Sequence, residues 1–305
     1  MRLTHPSAGR HRTPHVSALA DTRAWLMQKS APLTVNYGRE LQVPGLDLAR
    51  PRRILVPTRH GDVRCEVYPP PGVRFPAVHV HLHGGAFVMR HPRMDDFFAR
   101  FLVAAAGVAV VAVDYDVAPQ VRYPVAQEQA HDVCAHLATH GSEHGLDGSR
   151  FSVGGFSAGG NLAASACLQA RDHGTMTPRL QLLGVPSLDV CEEYDDKQPV
   201  GRPMLSPGIL DLVRSTYFTD PDRRAEPYAS PLRAPSLAGL PPAMVVTGEV
   251  DLLRREGDAY ARRLAADGVE VAHRVVPAAD HYFLNRRNAR AEMGRMAAAV
   301  RRHLA

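Results

Sequence analysis

The spacing of hydrophobic and polar positions alternates along the chain between the patterns of strands and helices. Residues 108–113 are continuously apolar, as expected of a central strand buried on both faces, whereas apolar residues recur at helical spacing in 16–29. The predicted strands are 54–57, 63–68, 77–82, 108–113, 151–153, 180–185, 244–247 and 269–276. The predicted helices are 16–29, 94–106, 125–140, 158–173, 206–218, 252–266 and 284–304. Because strands that alternate with helices form a parallel sheet covered on both faces, an α/β fold is expected.

The alternation is interrupted between residues 187 and 239, where the sequence has no strand pattern. This stretch contains an acidic run, 189–196, and one helix that Ser206 and Pro207 open. Insertions of this length inside a compact domain are usually functional, often as lids, although a surface excursion without a role in binding has the same pattern. The sequence therefore predicts a core formed by 51–186 and 240–305 with an insertion at 187–239. An N-terminal segment, 1–50, precedes the core, and its residues 1–15 are expected to be disordered.

Composition and charge narrow the class of protein. The chain has 305 residues and a formal net charge of +5, but its basic residues are mostly arginine and are scattered, which argues against a nucleic-acid partner. Its four cysteines lie far apart, without the spacing of a zinc site or a disulfide framework: Cys65, Cys134, Cys167 and Cys191. We therefore expect no metal and no cofactor.

No apolar run is long enough for a membrane span and residues 1–16 lack an apolar signal region, so a soluble cytoplasmic protein is expected. The oligomeric state, a homodimer included, is left open.

A serine lies between a predicted strand and a predicted helix. Gly155-Phe-Ser157-Ala-Gly159 fits the G-x-S-x-G pattern, in which small residues on both sides let strand and helix approach and expose the serine hydroxyl in a sharp turn. The alternative is an ordinary turn whose serine caps the helix. The apolar lead-in at 151–153 and the alanine-rich helix that follows favour the first interpretation, a catalytic nucleophile.

A serine hydroxyl needs a base, and the best candidate is His281. It follows the predicted strand 269–276 in a loop, and loops at the carboxyl ends of parallel strands are where α/β active sites form. His273 lies inside that strand and is expected to pack or to face a neighbouring helix. Most other histidines are expected at the surface.

An acid that orients the histidine is expected just after the strand 244–247. Asp251 occupies that place, and its alternative role is to cap the helix that begins at Leu252. The two roles can coexist. Glu249 and Asp280 are rivals, but side chains of neighbouring residues in an extended loop point apart, which disfavours Asp280.

The negative oxygen of an acyl-transfer intermediate needs backbone N–H donors, and a small-residue loop after a strand supplies them. Residues 83–87 (HGGAF) form such a loop after the predicted strand 77–82. The predicted oxyanion donors are the amides of Gly84, Gly85 and Ala86, joined by that of Ala158.

The order of the motifs resembles the hormone-sensitive-lipase-like branch of the α/β-hydrolases. The motifs are His83-Gly-Gly-Ala-Phe87, Val113-Asp-Tyr-Asp-Val-Ala-Pro119, Gly155-Phe-Ser-Ala-Gly-Gly160, Gly248-Glu-Val-Asp251 with Arg254-Arg-Glu-Gly257, and Asp280-His-Tyr-Phe283. The resemblance runs from about residue 69 to the C-terminus. It implies an α/β-hydrolase fold and a carboxylester hydrolase with Ser157, Asp251 and His281 as its triad. It also implies a cap formed by the N-terminal segment, 1–50, together with the insertion 187–239.

The chain departs from the family pattern at four positions. Ala86 replaces the usual third glycine, Phe156 the usual acidic residue before the serine, Leu252 a common proline and Asp116 a common arginine. None of these changes removes a catalytic atom, and together they indicate a divergent member.

The expected function is hydrolysis of a short or medium acyl ester of a small molecule through an acyl-enzyme. Amide hydrolysis, such as removal of an N-acetyl group from a metabolite, is the alternative within enzymes. The fold also hosts small-molecule receptors and dehydratases, but in these the serine or histidine is typically altered. The candidate pocket residues are Trp25, Phe87, Tyr194, Met204 and Phe218.

Overall fold

The fold is a single eight-stranded sheet with helices on both faces, seen in a computed structural model that describes residues 17–34, 41, 42, 48 and 50–305. The strands are β1 (Arg52–Val56), β2 (Val63–Tyr68), β3 (Ala77–Leu82), β4 (Ala109–Val113), β5 (Asp147–Phe156), β6 (Gln181–Gly184), β7 (Ala243–Gly248) and β8 (Val271–Val276). Their order is β1-β2-β4-β3-β5-β6-β7-β8. β2 pairs antiparallel with β1 and β4, and all other neighbours are parallel. The predicted α/β class is confirmed.

Two hydrophobic cores lie on opposite faces of the sheet. The helices are α1 (Ala18–Thr34), α2 (Asp96–Ala106), α3 (Val125–His140), α4 (Ala158–His173), α5 (Pro207–Thr216), α6 (Arg254–Ala266) and α7 (Ala289–Leu304). Successive residues of a strand point to opposite faces, so Val111 packs with α3, α4 and α6 whereas Val110 packs with α2 and α7. This double burial explains why the central strands are continuously apolar.

Several predicted element boundaries differ from the structure by one to five residues, among them those of α1, β5 and α7. β5 extends over Asp147–Phe156 rather than 151–153, because its first residues are polar and lie at the more exposed end of the strand, where no apolar signal marks them. α7 begins at Ala289 rather than at 284, because Asn285 and Asn288 close a turn before it. In that turn the Asn285 N–H donates to Asn288 Oδ1, and Asn288 Nδ2 donates to the carbonyl of Phe283.

The segment 187–239 leaves the sheet after β6 and returns at β7. Its described residues form α5 and two short 3₁₀ turns, Pro221–Arg223 and Pro231–Arg233, without a strand. Buried side-chain amides tie it to the core. Asn161 Nδ2 on α4 donates to the carbonyls of Ser187 and Ala229, and the Tyr217 hydroxyl donates to Gln127 Oε1 on α3.

α1 packs over the same region as α5. Its Asp21 forms an ion pair with Arg122 at 2.6 Å, and Gln28 Nε2 donates to Gln120 Oε1 at 2.9 Å. No helix among the described residues is both long and apolar enough to cross a bilayer. The expected disorder of residues 1–15 lies outside the described part of the chain.

Candidate active site

The turn between β5 and α4 holds Ser157 in a strained conformation. Ser157 has a φ of 55°, in the left-handed region. The backbones approach closely enough that a Cβ atom on Gly159 would lie 1.9 Å from the carbonyl oxygen of Leu82 at the end of β3. The Ser157 side chain makes no capping hydrogen bond to α4, so the helix-cap interpretation is not what the structure shows. Its hydroxyl is available to another partner.

That partner is the imidazole of His281, in the loop after β8. His281 Nε2 lies 2.9 Å from Ser157 Oγ, and His281 Nδ1 lies 3.2 Å from both carboxylate oxygens of Asp251, in the loop after β7. His281 is 7% exposed and Asp251 5%. A ring that carries its hydrogen on Nδ1 donates it to Asp251 and leaves Nε2 free to accept the serine hydroxyl. Three residues far apart in the sequence thus meet where the carboxyl ends of three parallel strands lie together.

Asp251 has a second contact, which the sequence also predicted. Its Oδ1 accepts a hydrogen bond from the N–H of Leu253 at 3.1 Å, just before α6. Orientation of His281 and the cap-like contact therefore coexist. The contact fixes the carboxylate and leaves its other oxygen free for the ring.

The rival acids serve other groups. Asp280 accepts from the backbone N–H of His281 through Oδ1 and from the N–H of Met204 through Oδ2. Glu249 accepts from the N–H of Ala278 at 2.7 Å. Both carboxylates thus organise the loop backbone rather than the imidazole.

The loop after β3 places backbone donors beside Ser157. Gly85 and Ala86 have φ values of 117° and 55°, and both line the cavity that Ser157 lines. Neither N–H donates a hydrogen bond to another described residue. The N–H of Ala158, first in α4, has no partner within its helix. These donors are therefore available to a developing negative charge.

A buried histidine fixes the conformation of this loop, a contact that the sequence did not reveal. His83 Nδ1 bonds to the carbonyl of Gly84 at 2.6 Å, and its ring stacks on Tyr115 with centroids 4.3 Å apart. The Tyr115 hydroxyl donates to the carbonyl of His83 at 2.7 Å. Burial lowers the pKa of His83 to about 4, so the ring is neutral at neutral pH. Its role is positional.

Two cavities open onto Ser157. The smaller, about 40 Å³, is lined by apolar residues of α5 together with charged residues of the insertion. The larger, about 280 Å³, is lined by four methionines, three aromatic side chains and Asp95, among others. The methionines and rings are Met27, Met89, Met94, Met204, Phe156, Tyr282 and Phe283. His281 lines the larger cavity and not the smaller.

Of the five predicted pocket residues, the structure places two at the cavities. Phe87 lines the smaller cavity and Met204 the larger. Phe218 is buried behind Phe87, with ring centroids 5.0 Å apart, and lines neither cavity. Trp25 and Tyr194 also line neither, and Trp25 is 46% exposed.

The prediction that Trp25, Tyr194 and Phe218 line the pocket is therefore corrected. Met27, two residues after Trp25 on α1, faces the larger cavity instead. Successive positions of a helix point in different directions, so a helix that borders a pocket presents only some of its side chains to it.

A buried ion pair joins the insertion to α6 beside the smaller cavity. Lys197 is 4% exposed, and its Nζ lies 2.9 Å from Glu256 Oε2 and 3.0 Å from the carbonyl of Asp189. Burial raises the pKa of Glu256 to about 7, and the Lys197 ammonium acts in the opposite direction. Asp189, the first residue of the acidic run 189–196, is thus buried within this network.

The described residues contain no group of three or more His, Cys, Asp or Glu side chains placed to hold a metal ion. The four cysteines are free, and three of them are buried: Cys65, Cys134 and Cys167. His273 lies within β8 and pairs with Asp258 on α6 at 3.0 Å, in keeping with the expected packing against a helix.

The family profile described as the alpha/beta hydrolase fold matches residues 79–285, and the chain belongs to this family. Within it, the chain belongs to the hormone-sensitive-lipase-like branch, as the motifs predicted.

Similar proteins are esterases. The chain is 34% identical to the carboxylic ester hydrolase LipN of Mycobacterium tuberculosis over 255 residues, 81% of this chain and 66% of that protein. It is 34% identical to the ethyl acetate hydrolase of Pseudomonas putida over 207 residues, 67% of this chain and 65% of that protein. The aligned parts thus span about two thirds of each relative's length. A crystal structure of a thermostable esterase from Pseudomonas putida superposes with a TM-score of 0.83 at 30% identity, covering 96% of this chain and 99% of that one.

Proposed function

We propose that the protein is a carboxylesterase, a serine hydrolase that cleaves a short or medium acyl ester of a small molecule through an acyl-enzyme. One observation carries the proposal: Ser157 Oγ lies 2.9 Å from His281 Nε2, whose Nδ1 lies 3.2 Å from Asp251. The esterase relatives support the ester as the bond that is cleaved.

In the proposed reaction, His281 accepts the Ser157 proton on Nε2 as Oγ attacks the ester carbonyl carbon. The carbonyl oxygen becomes negative and accepts hydrogen bonds from the amides of Gly84, Gly85, Ala86 and Ala158. His281 then gives its proton to the leaving alcohol, and Asp251 stabilises the transient imidazolium. Water, deprotonated by His281, releases the acid from Ser157.

The proposal includes a cap over the site. Its parts are the N-terminal segment 1–50 and the insertion 187–239, set on a core of 51–186 and 240–305. It is supported by Met27 of α1 and Ile209 of α5, which both line the larger cavity above Ser157. The cytoplasmic location stays a prediction, and the oligomeric state, a homodimer included, stays open.

A matched ester and amide separate the main function from its alternative. Para-nitrophenyl butyrate and para-nitrobutyranilide share the acyl group and the nitrophenyl ring, and differ in the leaving atom, oxygen or nitrogen. We expect kcat/KM to be at least about a thousandfold higher for the ester, because the anilide nitrogen needs stronger protonation by His281 to leave. A higher kcat/KM for the anilide would instead support the amide hydrolase.

A second prediction concerns the oxyanion loop. A Cβ on Gly85 would lie 2.7 Å from the Met89 Cβ, at a φ of 117° that disfavours any other residue. Gly85→Ala should therefore shift the loop and lower kcat/KM for para-nitrophenyl butyrate by about a hundredfold. Gly61→Ala is the matched control, since Gly61 has a φ of 99° with open space around it, in a turn between β1 and β2. Equal losses in both variants would mean that general destabilisation, not the oxyanion donors, causes the effect.

A further inference from the structure

One acidic residue, Asp95, lines the larger cavity, and no lysine or arginine among the described residues lies there to balance its charge. Asp95 is 3% exposed and lines the cavity with Ser157 and His281. Arg93, two residues earlier, is engaged by Glu66 at 2.8 Å.

The contacts of Asp95 leave it negatively charged. Its Oδ2 lies 2.9 Å from His81 Nε2, and its Oδ1 accepts no hydrogen bond from a described residue. His81 Nδ1 is buried and has no partner in the described part of the chain. If the His81 ring were doubly protonated, its Nδ1–H would be a buried donor without a partner. A His81 ring with a single hydrogen, on Nε2, donates that hydrogen to Asp95, and the carboxylate keeps its negative charge.

The rest of the cavity suits a large, weakly hydrated cation. The rings of Phe156, Tyr282 and Phe283 and four thioether side chains line it. Aromatic faces attract ammonium groups, and quaternary ammonium ions in particular bind where rings surround a desolvated site. Phe156 also contacts the ring of His81, with centroids 5.3 Å apart, which links the rings to the carboxylate.

The geometry assigns this cavity to the alcohol part of the substrate. His281 must protonate the leaving alcohol, and it lines the larger cavity but not the smaller. We propose that the larger cavity selects esters whose alcohol part carries an ammonium group, with Asp95 as its counter-ion. The inference rests on the proposed function for the placement of the alcohol part of the ester in the larger cavity. Binding of a cation in that cavity can be measured without hydrolysis.

Calorimetry with choline and 3,3-dimethylbutan-1-ol tests the site directly. The two alcohols have nearly the same shape, and only choline is charged. The intact protein should bind choline at least about tenfold more tightly, and Asp95→Asn should abolish the difference, since an asparagine still accepts from His81 but carries no charge. Asp96→Asn is the control, because Asp96 contacts Tyr68 and Arg100 and does not line the cavity, so the preference should persist.

Equal affinity for the two alcohols in the unmodified protein, or a choline preference that survives Asp95→Asn, would overturn the inference. Para-nitrophenyl acetate hydrolysis by the same preparation reports on the proposed function separately. Hydrolysis without a choline preference rejects the cation site alone. A choline preference without hydrolysis supports the cation site and rejects the esterase.

Discussion

Replacement of Ser157 by alanine is expected to lower kcat for para-nitrophenyl butyrate by about a millionfold, the loss typical of a missing serine nucleophile. Alanine has no Oγ to attack the carbonyl, and no other hydroxyl meets His281 Nε2 among the described residues. Stopped-flow or long-time-course assays on purified protein measure the residual rate. The melting temperature should change little, because the Ser157 side chain makes no hydrogen bond other than that with His281 in the described part of the chain.

Ser165→Ala provides the matched control. Ser165 is a buried serine further along α4, and its hydroxyl accepts from Gln169 Nε2 at 3.2 Å, away from both cavities. Its replacement should leave kcat within about threefold of the unmodified enzyme. A Ser157→Ala enzyme that retains substantial ester hydrolysis would exclude Ser157 as the nucleophile.

Asp251→Asn is expected to lower kcat by about ten thousandfold without disrupting the fold. The Leu253 N–H, which donates to Oδ1, favours the amide orientation that keeps oxygen at that position. The amide NH₂ then faces His281 Nδ1, and the ring must carry its hydrogen on Nε2, where it cannot accept the Ser157 proton. Measurement of kcat and KM should show the loss mainly in kcat.

Glu249→Gln distinguishes the two acids that the sequence placed near this loop. Glu249 binds the N–H of Ala278 and not the imidazole, and a glutamine oxygen can still accept that bond. We expect a change of no more than about threefold in kcat. If Glu249→Gln costs as much as Asp251→Asn, the assignment of Asp251 as the orienting acid is wrong.

The parts of the site that depend on strand ends could be predicted from the sequence. Ser157 and Asp251 each follow a strand with a strong apolar pattern, and His281 follows the more exposed strand β8. Parallel strands bring their carboxyl ends to one edge. The glycines around Ser157 mark a close approach of backbones that the structure contains. The predicted fold class and family are confirmed, and both follow from the order of these strands, helices and motifs along the chain.

The lining of the pocket could not be predicted in the same way. Helical spacing in 16–29 indicates which positions face protein, but not whether that protein is a core or a cavity wall. Trp25 is accordingly exposed and Met27 faces the cavity. Residue type alone favours aromatic residues such as Phe218 for the pocket, but the structure places Phe218 in the packing behind Phe87.

The burial of charged side chains near the site could not be predicted from the sequence either. Lys197 directly follows the acidic run 189–196, and its partner Glu256 lies on α6. Asp95 meets His81 only because α2 packs against β3. Each charge depends on a contact between distant elements, and a local pattern holds no information about such contacts.

Reaction with a fluorophosphonate, followed by peptide mapping by mass spectrometry, tests most directly whether Ser157 is the activated nucleophile. The expected result is one phosphonyl group per chain, bonded to Ser157, with ester hydrolysis lost in proportion to labelling. Labelling of a different residue in step with the loss of activity, or full activity after exposure with Ser157 unmodified, would contradict it.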